Sequence, residues 1–444
     1  MKKFKNNLFV VLILYVLLPL STTGSYFFLH INVDARKPSD FLLEDKKFDP
    51  KNAGYWKITP IDIDDADPTK NWAITKASYE WCQGSGTLSD PYVIENVTVN
   101  GNDAQSCIAI KNSNEYFIIR NCTLYNSSLG LTGDRDGGIK LINATNGKII
   151  KNHCHNNNFG GLLLFSGSNN NSIINNIVEY NLHDGVWVRN CNSVNIIGNN
   201  LSNNGDRGVY TSSSNNITIT NNIVYSNELS GIGLSNSNNN FFLHNIVYDN
   251  RDYGISLSSS HYNLIKGNII FLNYVGIRPY TCEHNIIREN IVYQNEYSGI
   301  ALIFNNQNNT IFNNSINNNY QYGIKIFPSS NYNKIYMNYV RNSGISNSYD
   351  EGTNNKWDNG SIGNYWDDYT GSDLNHDGIG DIPYNISGPA ASKDRFPIWE
   401  DRIEKPAEES PLIILIVAIT SIAGGIGLTG VVLILLRKKK RKFS

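Results

Sequence analysis

The stretch from Gly231 to Tyr253, GIGLSNSNNNFFLHNIVYDNRDY, is one copy of a unit that recurs nine times in succession. Each copy begins at a glycine, and successive glycines lie 22 to 24 residues apart. These glycines are Gly138, Gly161, Gly185, Gly208, Gly231, Gly254, Gly276, Gly299 and Gly323. A period in this range is typical of a stacked array, in which each repeat forms one coil.

Each copy also carries an asparagine at a matching position. These residues are Asn152, Asn176, Asn200, Asn222, Asn245, Asn268, Asn290, Asn314 and Asn338. Short runs of alternating apolar residues, broken by Asn, Ser and Gly, indicate strands and turns rather than helices. The sequence therefore predicts three strands per coil and an all-β, right-handed parallel β-helix. Because a buried amide needs hydrogen-bond partners, we expect the asparagines to bond to one another along the rod.

Composition and the two ends of the chain indicate an exported protein. A net charge of −2 over 444 residues gives no basic surface for nucleic acid, so that partner is not expected. Lys2, Lys3 and Lys5 precede an apolar run from Leu8 to Leu20, as in a signal peptide or signal anchor. We expect a disulfide between Cys82 and Cys107, whereas Cys191 and Cys282 lie too many coils apart to be bridged.

The C-terminal region predicts a membrane anchor. Leu412 to Leu436 is a run of 25 uncharged residues, long enough for a transmembrane helix. The basic tail 437–444 follows at once, which favours a cytoplasmic tail and a β-helix outside the cell membrane. The predicted organisation is a signal peptide or anchor at 1–25, an N-terminal cap at 26–90, β-helix repeats at 91–345, a C-terminal cap at 346–402, a linker at 403–411, the helix at 412–436 and the tail.

Functional side chains concentrate around the glycine positions of the repeat. Carboxylates and a histidine suit acid–base catalysis, arginine can neutralise a uronate, and aromatic rings can stack on sugar faces. The candidate catalytic residues are His183, Asp184, Arg189 and Asp206, and the candidate substrate-binding residues are Trp187, Arg207, Tyr210, Asp252, Arg278 and Tyr280. The alternative is a solvated turn with scattered aromatic residues.

Two segments suggest metal ions. Asp373, Asn375, Asp377 and Asp381 place oxygen ligands around a tight bend, which predicts a structural calcium site; a turn without an ion is the alternative. His153, Cys154 and His155 also stand together. The repeat puts the cysteine in the core and both histidines outside, which leaves surface copper or zinc as a weaker alternative.

An apolar stripe is expected on another face, one residue after each asparagine. It comprises Ile177, Leu201, Ile223, Ile246, Ile269 and Ile291, flanked by Tyr225, Tyr248, Phe271 and Tyr293. Such a stripe on an exported rod should be covered. The N-terminal segment or residues 345–357 could cover it, and a second copy of the chain in a homodimer or a bound glycan is the alternative.

The segment GNYWDDYTGSDLNHDGIGDIPY, from Gly363 to Tyr384, carries a family resemblance together with Asp394–Pro397 and the repeats. Over roughly residues 70–400 the chain resembles the NosD-like right-handed β-helix surface proteins. That resemblance implies either assistance in copper-site maturation of nitrous oxide reductase or, as in other relatives, carbohydrate binding, polysaccharide lysis or uronate epimerisation. Copper favours soft ligands, yet the chain has only two methionines and eight histidines.

These observations predict a membrane-anchored extracellular protein that binds or presents itself to polysaccharide or glycoprotein. A polysaccharide lyase or uronate epimerase is the first alternative, so enzymatic activity is left open. A copper-binding maturation factor is the second.

Overall fold

Each coil of the repeat contributes one strand to each of three parallel sheets, here called sheets A, B and C in their order along a coil. The computed structural model describes residues 13–14, 31–32, 56–131, 134–399, 415–420 and 429–434. The chain divides into two units, Met1–Lys51 and Asn52–Ser444. In the first unit, Ile13–Leu14 pairs antiparallel with Ile31–Asn32; the second unit contains the β-helix.

The strands of sheet A follow the repeat glycines. They are Ile61–Asp64, Ile108–Ser113, Gly137–Ala144, Gly160–Phe165, Val186–Arg189, Val209–Ser212, Ile232–Ser235, Tyr253–Ser258, Val275–Tyr280, Ser298–Leu302, Tyr322–Ile326 and Ser346–Asp350.

Sheet B begins with an antiparallel strand and is otherwise parallel. Its strands are Cys82–Gln83, Tyr92–Glu95, Phe117–Arg120, Gly147–Ile150, Ser172–Ile174, Asn195–Ile197, Thr218–Thr220, Phe241–Leu243, Leu264–Lys266, Ile286–Arg288, Thr310–Phe312 and Lys334–Tyr336.

Sheet C is parallel throughout. Its strands are Trp56–Ile58, Val97–Asn100, Thr123–Tyr125, His153–His155, Ile177–Glu179, Asn200–Ser202, Ile223–Tyr225, Ile246–Tyr248, Ile269–Phe271, Ile291–Tyr293, Ser315–Asn317, Tyr339–Arg341 and Tyr365–Trp366.

Apolar side chains of equivalent positions stack inside the rod. Ile232 pairs in register with Val209 on one side and with Ile255 on the other, and all three are fully buried. Burying a side chain of this size stabilises a fold by about 1.5–3 kcal/mol. Since each coil repeats this contact on all three sheets, the β-helix predicted from the glycine spacing is confirmed.

Asparagine side chains form the expected ladder between sheets B and C. The Asn245 side chain donates from Nδ2 to Ile219 O at 2.8 Å and to Asn268 Oδ1 at 3.0 Å, and its Oδ1 accepts from the backbone N–H of Asn222 at 3.0 Å. Ladder residues are fully or almost fully buried. Each amide therefore satisfies a carbonyl and an amide of neighbouring coils in the dry interior.

The ladder assignment is wrong in one coil. Asn199, and not Asn200, donates to Asn222 Oδ1 at 2.9 Å and to Ile173 O at 2.9 Å. Asn200 pairs with Ile177 and Ile223 on the outer surface, so Leu201 faces inward beside Val178. Because Asn199 and Asn200 are consecutive, the sequence does not show which of them is the ladder residue. The choice matters because, in a strand, a shift of one residue exchanges the inward and outward faces.

A second asparagine ladder, between sheet C and the next strand of sheet A, was not predicted. Asn227 donates to Asn250 Oδ1 at 2.9 Å and to Leu201 O at 3.2 Å, in the same manner as the first ladder. Its members are Asn157, Asn181, Asn204, Asn227, Asn250, Asn273, Asn295 and Asn319. The high asparagine content of the chain thus has a structural cause.

Each bend before a ladder residue uses a left-handed backbone. His244, Asp249 and Leu272 have φ between 54° and 57°, although only small or Asn-like residues adopt this region easily. The ladder hydrogen bonds that follow at Asn245, at Asn250 and at Asn273 fix these bends. Local propensity alone would not have placed a leucine there.

The N-terminal cap is shorter than the predicted 26–90. Trp56–Ile58 and Ile61–Asp64 already pair in parallel with the next coil, so they belong to sheets C and A. The helix α1, Trp72–Ser78, closes the end of the core. Its Trp72 is buried and stacks on Tyr92 with ring centroids 4.8 Å apart.

The C-terminal segment closes the other end of the rod with two buried carboxylates. Ser346–Asp350 still belongs to sheet A, so the predicted boundary at 346 falls within the β-helix. Asp350 accepts from Trp357 Nε1 at 2.9 Å, and Asp394 accepts from Trp366 Nε1 at 3.0 Å. Antiparallel pairing of Tyr384–Asn385 with Lys393–Asp394 completes this cap.

The expected disulfide between Cys82 and Cys107 is wrong. Cys82 lies in sheet B, whereas Cys107 precedes a strand of sheet A and its thiol donates to Tyr125 O at 3.2 Å. All six cysteines are free and buried, which also confirms that Cys191 and Cys282 are not bridged. Burial raises the pKa of the Cys82 thiol to about 12.

The two described parts of the expected transmembrane helix 412–436 are strands. Leu415–Thr420 pairs antiparallel with Thr429–Ile434, and both segments are rich in β-branched residues, which favour strands. Among the described residues no helix is long and apolar enough to cross a membrane. The rest of this segment, the signal region apart from Ile13–Leu14, the linker and the basic tail lie outside the described residues.

The apolar stripe lies on the outer surface of sheet C. Rings of Tyr225, Tyr248, Phe271 and Tyr293 stack with centroids 4.9 to 5.0 Å apart. Leu201 is not part of it, for the reason given above. Residues 345–357 do not cover the stripe, because Ser346–Asp350 is a strand of sheet A. The N-terminal cover was expected from residues that lie mostly outside the described part of the chain.

Separate substitutions of two adjacent asparagines test which of them belongs to the ladder and which lies on the outer surface. Asn199→Ala removes four buried side-chain hydrogen bonds, and we expect the free energy of unfolding to fall by about 3 kcal/mol or more. Asn200→Ile, which restores the residue found at this position in both neighbouring coils, should leave stability unchanged or raise it slightly. Urea denaturation of both variants measures this, and equal losses would contradict the register.

Candidate functional site

The outer surface of sheet A presents a single row of side chains, here called column 1, two residues after each repeat glycine. Column 1 consists of the nine residues Lys140, Leu163, Trp187, Tyr210, Gly233, Ser256, Arg278, Ala301 and Lys325, and of Tyr349, which pairs with Lys325 in the next coil. Neighbouring members are about 4.8 Å apart along the rod, as in any parallel sheet. A ligand lying along the rod would therefore meet these side chains in succession.

Aromatic side chains gather around Trp187. The Trp187 ring lies 5.2 Å from Phe165, 5.7 Å from Phe159 and 5.8 Å from Tyr210, measured between ring centroids. Its Nε1 donates to Ser212 Oγ at 3.1 Å, which fixes the orientation of the indole. The predicted residues Trp187 and Tyr210 are thus brought together, and Phe159 and Phe165, which were not among the predicted site residues, join them.

A buried ion pair borders these rings. Asp184 Oδ1 accepts from the backbone N–H of Arg207 at 3.1 Å and lies 3.4 Å from Arg207 Nη1. The Arg207 guanidinium also lies over the Tyr210 ring, 4.1 Å from its centroid, and Gly233 leaves room for it because a Cβ there would meet Arg207 Cδ at 2.8 Å. Burial raises the pKa of Asp184 to about 7, although the arginine opposes the shift.

His183 and Asp206 form a second pair at the edge of sheet A. His183 Nδ1 lies 3.0 Å from Asp206 Oδ2, and the imidazole packs on Phe159 with centroids 4.4 Å apart. Arg189 lies at 5.9 Å over the Trp187 ring. The four candidate catalytic residues therefore surround the same aromatic group, with two carboxylates already engaged by cationic or ionisable partners.

Further along the rod, Arg278 lies between two tyrosine rings. Its guanidinium carbon is 4.8 Å from the Tyr253 centroid and 4.7 Å from the Tyr280 centroid. Arg278 Nη1 donates to Ser256 Oγ at 3.4 Å. The carboxylate of Asp252, predicted to join this group, makes no hydrogen bond or ion pair with the residues that the structure describes.

Lys325 is a further candidate residue of column 1, one that was not predicted from the sequence. Its ammonium lies 4.4 Å from the Tyr322 centroid, 4.6 Å from Phe327 and 5.0 Å from Tyr349, and it donates to Tyr297 Oη at 2.9 Å. Only 9% of the residue is exposed. The column spacing could have found it, since Lys325 stands two residues after Gly323 just as Arg278 stands two after Gly276.

The first lysine of column 1 has a different environment. Lys140 is almost fully buried and pairs with Asp134 and, at 3.2 Å, with Asp136. Burial opposes ionisation of Asp136, but hydrogen bonds from Ser128 and Ser106 and the Lys140 charge lower its pKa overall. This cation is neutralised within the protein.

The predicted calcium loop is folded as a hydrogen-bonded turn. Asp373 accepts from the backbone N–H of Gly378 at 2.9 Å, Asp377 from Ile379 at 2.8 Å and Asp381 from Leu374 at 2.8 Å. In the part of the chain that the structure describes, no group of three or more His, Cys, Asp or Glu side chains is placed to hold a metal ion. Calcium at this loop stays a prediction.

Cys154 is fully buried, and the two histidines beside it face outward, as predicted. His153 Nε2 lies 3.0 Å from Glu179 Oε1, which lowers the pKa of that carboxyl. His155 stacks against Tyr125 with centroids 5.4 Å apart. The histidines thus have protein partners, and the thiol is directed away from them.

A cavity of about 850 Å³ lies beside α1, lined among others by Trp56, Ile58, Lys70, Tyr79 and Trp81. Its lining includes the ion pair of Lys70 with Asp62 at 2.7 Å but no histidine–carboxylate pair like that of His183 with Asp206. The outer face of sheet A, rather than this cavity, collects the candidate residues.

Comparison with known proteins identifies the family. Residues 67–218 and 184–340 match the family described as right handed beta helix region, which spans more than half of the chain. The protein belongs to this family of right-handed β-helices. No curated protein matches the sequence.

Solved structures agree on the fold. The chain is similar to the A-module of the Azotobacter vinelandii mannuronan C-5 epimerase AlgE4, with 16% identity, a TM-score of 0.50, and coverage of 62% of this chain and 87% of that one. The A-module of AlgE6 from the same organism gives 16% identity and a TM-score of 0.50, covering 60% and 80%. At this identity the likeness shows the fold alone.

The raised pKa of Asp184 predicts a pH-dependent stability. Its folded pKa of about 7 exceeds the ordinary value of 3.8, so the stabilising contribution of the neutral carboxyl is complete below about pH 4 and is lost as the pH rises through 7. Asp184→Asn is neutral throughout. After allowance for the lost Arg207 contact, we expect this variant to be more stable than the wild type by about 2 kcal/mol at pH 8.

At pH 4 the stabilities of Asp184→Asn and wild type should converge. Chemical denaturation at both pH values measures the difference, and the exposed Asp90→Asn serves as a control that should show none. A destabilised Asp184→Asn at pH 8 would mean that the ion pair with Arg207 outweighs burial.

Proposed function

We propose that this protein binds an acidic polysaccharide along the outer face of sheet A. The observation that carries the proposal is that Arg278 and Lys325 are held against aromatic rings on one continuous face, with no ion pair to a carboxylate among the described residues. Aromatic rings offer flat apolar surfaces to sugars, and unpaired cations attract carboxylate or sulfate groups.

The group around Trp187 suits the same ligand. The Trp187 and Tyr210 rings stand at adjacent positions of column 1, with Arg207 stacked on Tyr210. The aromatic rings can stack on many kinds of sugar, whereas the arginine favours sugars that carry a negative charge. The face therefore favours a polyanionic chain over a neutral one.

Fold analogy supports the same ligand class. The two epimerase modules that share this fold are named for mannuronan, an acidic polysaccharide. Column 1 supplies the independent argument, because its composition is a property of this chain alone. A glycoprotein carrying acidic glycans would present the same groups.

Export, a C-terminal membrane anchor and a calcium ion in the Asp373–Asp381 loop complete the proposal as predictions from sequence. They would place the rod outside the cell with its C-terminal cap towards the membrane. The NosD-like resemblance is part of the same set of predictions. A role in copper assembly is less favoured, since His153 is engaged by Glu179 and Cys154 is buried.

Binding can be measured by affinity electrophoresis of the full chain through gels containing polygalacturonate, polymannuronate or neutral dextran. We expect retardation by the two polyuronates only, weakening as salt is raised. Trp187→Ala should reduce polyuronate affinity about tenfold, the equivalent of one lost stacking contact of roughly 1–1.5 kcal/mol.

Tyr336→Ala is the matched control, because Tyr336 belongs to sheet B and stacks on Phe312 away from column 1. It should leave polyuronate binding unchanged. Retardation by dextran equal to that by the polyuronates, or equal losses in the two variants, would contradict the assignment of the ligand and the face.

Polyuronate lysis or epimerisation is a second candidate function, favoured by Asp184. A carboxyl whose pKa is raised to about 7 can exchange a proton near neutral pH. His183 precedes Asp184 in the sequence and pairs with Asp206, and Arg207 contacts Asp184 in the structure. Abstraction of the proton at C5 of a uronate would need such a group, with an arginine to hold the carboxylate.

Growth of absorbance from unsaturated uronates would reveal lysis, and exchange of C5 hydrogen with deuterated solvent would reveal epimerisation. If the protein is an enzyme, Asp184→Asn should lower turnover at least 100-fold with little change in affinity. If the protein binds a polyuronate but gives neither of these two signals, only the proposed binding function stands.

A further inference from the structure

Arg278 and Lys325 stand in the same column of sheet A, two coils apart. Register pairs the strand of Arg278 with that of Ala301, and Ala301 with Lys325. Two strand spacings in a parallel sheet correspond to roughly 10 Å. The separation of the two cations is therefore fixed by the backbone rather than by flexible side chains.

Both cations are held in place by neutral aromatic groups. Tyr253 and Tyr280 lie on Arg278, and the rings of Tyr322, Phe327 and Tyr349 surround the Lys325 ammonium. Rings orient a cation without neutralising it. Each side chain is thus positioned in one geometry while its full charge is kept.

Hydrogen-bonding capacity also remains at both positions. Arg278 Nε is buried, so a ligand would meet the terminal nitrogens of the guanidinium, and the Nη1 contact to Ser256 Oγ is long at 3.4 Å. Lys325 has three ammonium hydrogens, and its hydrogen bond within the described part of the chain is to Tyr297 Oη. An anionic ligand would supply the acceptors that the protein does not.

The residue between them in column 1 is small. Ala301 is the intervening member, and it is fully buried beneath neighbouring side chains. A ligand that meets both cations would therefore lie over these side chains rather than on Ala301.

We propose that Arg278 and Lys325 form a paired anion site that recognises an acidic polysaccharide bearing a carboxylate on every second sugar. The spacing of about two strands is close to the length of two pyranose rings, so successive anionic groups on the same side of the chain would meet the two cations together. This inference rests on the proposed binding function and specifies its ligand.

The test uses oligosaccharides of hyaluronan, which alternate a uronate with a neutral sugar. The tetrasaccharide has two carboxylates one disaccharide apart, and the disaccharide has one. By calorimetry with the full chain, we expect the tetrasaccharide to bind at least tenfold more tightly than the disaccharide. Both Arg278→Ala and Lys325→Met should reduce tetrasaccharide affinity to the level of the disaccharide.

Arg288→Ala is the matched control, since Arg288 also lies over an aromatic ring, Phe312, but belongs to sheet B. It should leave both affinities unchanged. Lys325→Arg keeps the charge and should restore most of the tetrasaccharide preference, which separates loss of charge from loss of folding. Circular dichroism confirms that each variant is folded.

The two levels of inference fail differently. If Lys325→Met leaves the tetrasaccharide preference intact while Trp187→Ala still weakens polyuronate binding, the spacing proposal is overturned and the binding function stands. If the wild type shows no tetrasaccharide preference but binds polygalacturonate, the every-second-sugar periodicity is overturned. If it binds none of these acidic saccharides, both proposals are wrong.

Discussion

The hydrogen bonds of the buried asparagines are the interaction on which this rod depends. A coil of about 23 residues must turn sharply between its sheets, and each turn leaves backbone groups in a dry interior where they cannot reach water. The Asn245 amide meets this requirement by bonding to one carbonyl and to the amides of the coils on either side. Such a contact can form only when the neighbouring coils are already in register. The bends within one coil and the stacking of successive coils therefore depend on the same hydrogen bonds.

That constraint explains why the outer surface is free to vary. Leu272 and His244 adopt a left-handed backbone without being typical residues for it, because the ladder that follows fixes the bend. The interior columns of isoleucine and valine supply the apolar burial, so the outward positions contribute less to holding the coils together. The side chains of column 1 accordingly vary in size from the glycine at Gly233 to the indole of Trp187. Functional specificity can accumulate there with little effect on the fold.

The parts of the structure that sequence could predict are those that repeat. The regular recurrence of glycines such as Gly231 and Gly254, with the apolar residues between them, specified the β-helix, its three sheets and the direction of Cys154. The errors arose where the repeat was ambiguous or absent. Asn199 and Asn200 are adjacent and chemically identical, so only the hydrogen bonds distinguish the ladder residue from the surface residue. Similarly, the pairing of Trp56–Ile58 with the next coil depends on tertiary packing that its short, non-repeating sequence does not reveal.

For the candidate site, the residue types could be predicted from the sequence, but the contacts that each side chain makes could not. His183, Asp184, Trp187 and Arg207 were selected as functional residue types, and the stacking of coils does bring them together. Whether a cation is available to a ligand, however, depends on what surrounds it. Lys140 and Lys325 occupy the same column and have the same charge, yet two aspartates neutralise the first whereas tyrosine and phenylalanine rings surround the second. Neutralisation within the fold makes Lys140 part of the scaffold. An aromatic setting with a single phenol acceptor leaves the Lys325 charge without a carboxylate partner among the described residues, and this difference is why the proposed anion site lies in the C-terminal half of sheet A.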